Sequence, residues 1–453
     1  MNQKVVKTSR FAAIETLIRL QRTKFPVKPL FDTVAEECGI SGAERGLAMN
    51  IVYGVLRQRD YLDLLIKTLC NRPVKKLDQF VYGALSIGLF QLFCLDRVPD
   101  SAAVNETVNA LKSARLKKHL HGFVNGVLRG AIRQREQLPA PGAPLPSGRP
   151  LLNHPIWMTD RWARRFGREE MERICRINSL ESQLVLRVNS SQINRDELLE
   201  RFRKKNITST PGKYSPYSIV LPDFNGSIIT LPGYEEGLFQ VQDEAAQLAS
   251  MLLGPFKDKG NYLDACAGLG GKTSHIIELV AKRDARVVAV EPEPKRQRLL
   301  KENIDRLFPG KHLTVSPSNL QDYCRTSRLQ FDGIIVDAPC SGTGVTGRHP
   351  DIRWNRSLDD IERYQLEQIN ILEHAAELVS PQGILVYATC SLEIEENQHV
   401  IEVFLNRRDD FVITDCSKQL PDNAHDFVKD RFFNPHPTEA IDGFFAARLQ
   451  RKS

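Results

Sequence analysis

The 453-residue chain carries a net charge of +7, with 42% hydrophobic and 26% charged residues. That length exceeds what one core organises and predicts two or three domains with a moderate basic excess. Nine cysteines without a Cys-x-x-Cys pair or finger-like Cys/His spacing exclude a structural zinc site and a secreted disulfide framework, so free thiols in a cytoplasmic protein are expected.

The first third reads as helical. In "RFAAIETLIRL", Phe11, Ile14, Leu17 and Ile18 share one helical face, and the same period recurs over Leu62–Leu69, Phe80–Phe93 and Phe123–Ile132. The most apolar run, Phe80–Leu95, is shorter than the roughly 20 residues of a membrane span and predicts a buried core helix. Lys112, Arg115, Lys117, Lys118, Arg129, Arg133 and Arg135 gather around the last of these helices. On charge alone that group reads first as a solvated helix face, and otherwise as a set of phosphate contacts. "QLPAPGAPLPSGRP", Gln137–Pro150, blocks helix and sheet and predicts a boundary, with a linker over 139–152 between domains at 1–138 and 153–236. In the latter, a helix over Asp160–Ile177, the strand "LVLRVN" and a helix capped by Asn194 predict a small α+β module.

From about Gly237 to the end, apolar β-branched runs alternate with connections and helices: "NYLDACAG", "RVVAVE", "HLTVS", "FDGIIVDAPC" and "GILVYATCS". That order predicts an α/β, doubly wound parallel sheet with its site at the carboxyl ends of the strands. The first strand runs into "LDACAGLGGKTSHI", where Gly268, Gly270 and Gly271 admit close approach to a helix N-terminus. A Walker A loop requires glycine at Cys266 and a dinucleotide fingerprint requires it at Thr273, so neither phosphate motif fits. Glu291 ends the second strand, and a carboxylate there accepts both hydroxyls of a ribose. The pair indicates an adenosine-containing cofactor, nicotinamide dinucleotide or S-adenosylmethionine alike.

Asn319 follows the third strand, as a helix cap or an adenine contact, and Asp337 closes the fourth. Cys340 and Cys390 each follow a strand on the cofactor edge, in "APCS" and "ATCS". Two thiols so placed suit methylation at carbon 5 of a pyrimidine. That carbon attacks a methyl sulfonium only after a thiolate has added at carbon 6; a second thiol then serves as base, and Asp337 is placed for the charge developing at ring nitrogen 3. Which cysteine does which is open at this point.

"DACAGLGGKT", "VVAVE", "VDAPCSGTGVTGRHPDIRW" and "VYATCSLEIEEN" resemble the successive motifs of the RNA 5-methylcytosine methyltransferases, the NOL1/NOP2/Sun group. "GFVNGVLR", "HPIWM", "LRVN" and "GLFQVQDEAAQ" extend the resemblance over nearly the whole chain, toward bacterial members that act on 16S rRNA and carry a helical NusB-like RNA-binding domain. The resemblance implies a multidomain chain: an all-α NusB-like domain, a small α+β RNA-binding module, and a Rossmann-like methyltransferase domain using S-adenosylmethionine on 16S rRNA, as a monomer with no membrane association or metal. It implies Cys390 as nucleophile and Cys340 as the group for proton removal and release. Cofactor contacts fall to Cys266, Ala267, Gly268, Leu269, Gly270, Gly271, Lys272, Glu291, Asn319 and Asp337. RNA contacts fall to Lys117, Lys118, Arg129, Arg348, His349 and Arg353. The chain departs from the family where Ala-Ala-Pro is usual at Ala267-Gly268-Leu269, and where Asp is usual at Glu291 and Asn319. A non-catalytic RNA-binding protein accounts for the helical third but gives the cysteines no work. A nucleotide-dependent oxidoreductase accounts for the glycines and Glu291 but not for "DAPC".

Overall fold

The structure is a computed structural model that describes residues 7–70, 77–145, 148–222, 224–310 and 313–453. It forms two compact units, one of residues up to Glu181 with Thr346–Arg356, the other of Ser182–Val345 with Ser357–Ser453.

The first unit contains α1 (Ser9–Leu20), α2 (Val27–Cys38), α3 (Gly42–Arg57), α4 (Arg59–Leu69), α5 (Gln79–Cys94), α6 (Asp100–Ser113), α7 (Lys118–Arg133), α8 (Ile156–Phe166) and α9 (Arg168–Asn178). The apolar run is α5, with Asp78 capping Phe80 and Val81; it is buried on nearly every side because α1, α3, α4, α6 and α7 all pack on it. Close approach of α3 depends on Gly54, where a Cβ would stand 1.9 Å from the ring of Phe90. No described helix is long and apolar enough to cross a membrane.

One sequence expectation changes here. The single helix over Asp160–Ile177 is two, because Gly167 adopts φ 86° between α8 and α9. The Pro/Gly-rich segment lacks helix and strand among its described residues after Gln137, and the contacts group the chain into units that meet at Glu181. Tyr61 bridges that segment, its hydroxyl donating to the Pro139 carbonyl and its amide to the Asn153 side chain, so α8 and α9 stay with the helical body.

The second unit opens with β1 (Leu184–Val188), α10 (Arg195–Lys204), β2 (Thr210–Pro211), β3 (Ser218–Leu221) and β4 (Phe239–Val241), an antiparallel sheet in the order β2-β3-β1-β4. Asn194 and Glu197 close α10 with a reciprocal capping box. There follow α11 (Glu244–Met251), β5 (Asn261–Asp264), α12 (Gly271–Leu279), β6 (Arg286–Val290), α13 (Pro294–Leu307), β7 (Thr314–Ser316), α14 (Leu320–Thr326) and β8 (Phe331–Asp337). His312, the first residue of the expected third strand, lies outside the described residues. The short α15 (Ile352–Asn355) belongs to the first unit; α16 (Leu358–Glu377), β9 (Val379–Thr389), α17 (Gln398–Arg407), β10 (Phe411–Thr414), β11 (Val428–Lys429), β12 (Phe432–Phe433) and β13 (Phe445–Arg451) complete the second.

The large sheet runs β7-β6-β5-β8-β9-β13-β12-β11, with β10 also paired to β13. The five expected strands are parallel, and the order reverses about β5, which leaves a crevice at the carboxyl ends of β5 and β8. The sheet is nevertheless mixed. β13 lies antiparallel on β9, from Phe445 opposite Thr389 to Gln450 opposite Ile384, and so covers what would be an open edge.

Candidate active site

The crevice holds a cavity of about 400 Å³, within the ~300–1,000 Å³ range of small-molecule sites. Cys266, Gly268, Glu291, Asn319 and Asp337 line it. Its geometry follows from the turn after β5: Gly268 and Gly270 take φ 54° and 85°, and α12 begins with no side-chain cap, leaving its first N–H groups toward the turn. Beneath the turn, buried Asp264 accepts from the Thr273 hydroxyl at 2.7 Å and the Cys266 amide at 3.3 Å. Burial pushes the Asp264 carboxyl up to about 6, and holds the Cys266 thiol well above its usual range, reinforced by the carboxylates of Asp264, Asp337 and Glu291. Glu291 is buried, its Oε1 fixed by the Glu293 amide at 2.9 Å. Ala267, Gly270 and Gly271 build the turn, whereas Leu269 is half exposed. Asn319 caps α14 through the Asp322 amide while also lining the cavity.

Register brings the cysteines together. Asp337 of β8 stands opposite Ala388 of β9, so the turns that follow emerge side by side. They are then stitched: the Ala338 amide donates to the Ala388 carbonyl, the Gly344 amide to the Cys390 carbonyl, and the Leu392 amide to the Thr343 hydroxyl. The approach requires glycine at 344, where a Cβ would stand 2.3 Å from the Gly443 carbonyl oxygen. The Sγ atoms of Cys340 and Cys390 are 3.3 Å apart and both residues are partly exposed. The Cys340 thiol is held well above its usual range by its hydrogen bond to Cys390, then by burial, then by charge at Cys390 and Glu396. Asp337 has a partner as well: Lys272 Nζ lies 2.6 Å from its Oδ2, with the ammonium also 5.3 Å from the Phe444 ring centroid.

The expected RNA contacts separate. Lys117, Lys118 and Arg129 are exposed at the start and along one side of α7. Arg353 is not available to a phosphate: it is fully buried inside the first unit, donating to the carbonyls of Arg57, Asn153, Asn178 and Thr346, and burial drops its guanidinium to about 9. The reason is physical: residues 346–356 fold into the helical unit, where Trp354 Nε1 also donates to the Leu56 carbonyl. Arg348 is half-buried and His349 exposed in the same segment.

Five residues at the site are not among those predicted from the sequence motifs. Glu367, Asn370 and His374 present one face of α16 to the cavity; their i, i+3, i+7 spacing was the available signal. Arg187, fully buried on β1, donates to the Gly271 carbonyl at 2.8 Å, Ser274 Oγ at 2.8 Å and Glu278 Oε1 at 2.7 Å, gripping successive turns of α12 behind the cofactor turn. Buried Glu396 takes the hydroxyls of both Ser341 and Ser391, the residues after the two cysteines.

Comparison with known proteins assigns each part of the chain to a family. Residues 250–450 match the 16S rRNA methyltransferase RsmB/F family, residues 7–133 the NusB family, and residues 154–225 the ferredoxin-like domain of RsmF/B-like methyltransferases. A probable ribosomal RNA small subunit methyltransferase B of Bacillus subtilis (strain 168) is 35% identical over 98% of this chain and 99% of its own. The ribosomal RNA small subunit methyltransferase B of Pseudomonas putida is 37% identical over 80% of this chain and 81% of its own. Among solved structures, PH0851 superposes with a TM-score of 0.74 at 21% identity, covering 99% of this chain and 98% of that one. A methyltransferase homologue from Pyrococcus horikoshii superposes at 0.56 with 27% identity, covering 66% and 96%. The chain, an rRNA methyltransferase with NusB-like, ferredoxin-like and Rossmann-like parts, belongs to the ribosomal RNA small subunit methyltransferase B family.

Proposed function

We propose that this protein transfers a methyl group from S-adenosylmethionine to carbon 5 of one cytosine in 16S rRNA, through a transient bond between Cys390 and the base. The observation that carries the reading is the pair of thiols 3.3 Å apart at the ends of neighbouring strands, beside a cofactor-sized cavity. A carboxylate at Glu291 for ribose and an uncapped helix start at Gly271 for the methionine carboxylate fit this cofactor. When bound, it supplies an electrophilic methyl on a sulfonium.

The Cys340 thiol is held well above its usual range by its hydrogen bond to Cys390 and by burial, so it keeps its proton at rest. Cys390 gives its proton to water and adds at carbon 6 as the thiolate, and the electron pair moves toward ring nitrogen 3, where Lys272, oriented by Asp337, donates a hydrogen bond. Carbon 5 becomes nucleophilic and takes the methyl. With Cys390 engaged in the C–S bond, Cys340 loses the hydrogen bond that helped hold its proton and releases the proton to water. Its thiolate then removes the carbon 5 proton, and Cys390 leaves as thiolate and regains a proton from water, so the net products are the methylated base, the demethylated cofactor and one proton. The target cytosine must be unpaired or extruded to reach the sulfurs.

Incubation with S-adenosylmethionine and unmethylated 16S rRNA, followed by bisulfite sequencing, should show one newly protected cytosine. Methylation confined to another atom or to another RNA would overturn the proposal.

A further inference from the structure

We infer that Glu396 is a positioning residue that sets the separation of the two thiols, acting through the serine that follows each of them. The inference deepens the functional reading above and rests on it. Glu396 is fully buried, yet the groups that bond its carboxylate are neutral donors, not a cation. Oε2 takes the hydroxyls of Ser341 and Ser391, while Oε1 takes the Ser341 amide at 2.7 Å and the Gln368 amide at 3.0 Å. Gln368 also donates to the Pro339 carbonyl at 2.9 Å, so Cys340 is held from both sides and Cys390 from the side after it.

The choice of residue type is informative. A buried carboxylate without a cation costs free energy that a neutral side chain avoids, so its acceptor capacity must be needed. An ionised carboxylate only accepts, on two oxygens, which suits four converging donors. Glutamine has the same shape but turns one oxygen into an NH₂ that faces donors, and one of the two turns must give way. The arrangement also accounts for the repeated Cys-Ser: each serine is the handle by which its cysteine is held.

The test uses the full chain. Glu396→Gln should lower kcat about 100-fold, the scale of a small misplacement of reacting groups, with KM for S-adenosylmethionine within about twofold of the parent. Ser341→Ala with Ser391→Ala should do the same, and the triple variant should be no slower than Glu396→Gln, because one linkage is lost once. A readout independent of methylation is closure of the Cys340–Cys390 disulfide by diamide, which takes two electrons and two protons from the thiols. Glu396→Gln and the double serine variant should close it at least tenfold more slowly. Parental closure rates, or losses that multiply in the triple variant, overturn the inference. If Glu396→Gln does not fold, the double serine variant decides alone. A parent enzyme inactive on cytosine would refute the function while the diamide rates still judge the positioning.

Discussion

Cys340 and Cys390 approach to 3.3 Å between sulfurs although fifty residues separate them, and the hydrogen bond to Cys390 helps hold the Cys340 thiol well above its usual range. With RNA and cofactor, Cys340→Ser should therefore accumulate a covalent protein–RNA adduct, while Cys390→Ser should form none and lose all activity. Denaturing gels with labelled RNA read both; the reverse pattern would exchange the roles. A pH dependence follows. Burial still raises the Cys340 thiol once Cys390 is bonded to the base, so its thiolate fraction rises through neutral pH and the parent adduct should resolve faster as pH rises, up to about tenfold per unit. The Cys340→Ser adduct should show no such acceleration.

Glu291 stands at the cavity wall with one oxygen already fixed by the Glu293 amide, leaving the rest of its acceptor capacity for the ribose. Charged hydrogen bonds contribute about 1.5–3 kcal/mol each, so Glu291→Ala should raise KM for S-adenosylmethionine roughly 10- to 100-fold. The kcat at saturation should change little, which initial-rate kinetics will separate.

Asp264 gives a stability test at the root of the same turn. Its carboxyl, ordinarily near 3.8, is pushed to about 6 by burial. The folded chain thus holds this proton more tightly than the unfolded chain, and its contribution falls as pH rises from about 4 through 6. The full span is worth ~3 kcal/mol at two units. Urea unfolding at pH 4 and 7 should show Asp264→Asn lacking that part of the parent's slope.

Arg353 and Lys117 make opposite predictions. Arg353→Ala leaves buried carbonyls of Arg57, Asn153, Asn178 and Thr346 without their donor and should destabilise the first unit by ~3 kcal/mol or more. Its effect on the salt dependence of RNA binding should be nil. Lys117→Ala with Lys118→Ala should leave the melting temperature in place and reduce the slope of log affinity against log salt by roughly one to two. Thermal melts and filter binding across salt concentrations distinguish the two.

Features that depend on neighbours in the chain are legible in the sequence alone. Asn194 and Glu197 form their capping box within one turn, α5 shows its apolar character over sixteen residues, and Gly268 and Gly270 sit where a strand must turn into a helix. The five parallel strands and the crevice at their carboxyl ends follow from the same local alternation of apolar runs with helices. The antiparallel edge does not, since β11 and β12 are two residues each and β13 is specified by its pairing with β9 rather than by its own pattern.

What the sequence by itself determined was which chemical groups end each strand: a carboxylate at Glu291, another at Asp337, and a thiol after each of two strands. Only the tertiary structure decided what those groups face. Arg353 reads as a surface cation in its own stretch but finds acceptors 175 to 296 residues away, and Glu396 meets Ser341 across 55 residues. A buried charge is fixed by whichever distant donors or acceptors replace its water, and that pairing is not written in any local period.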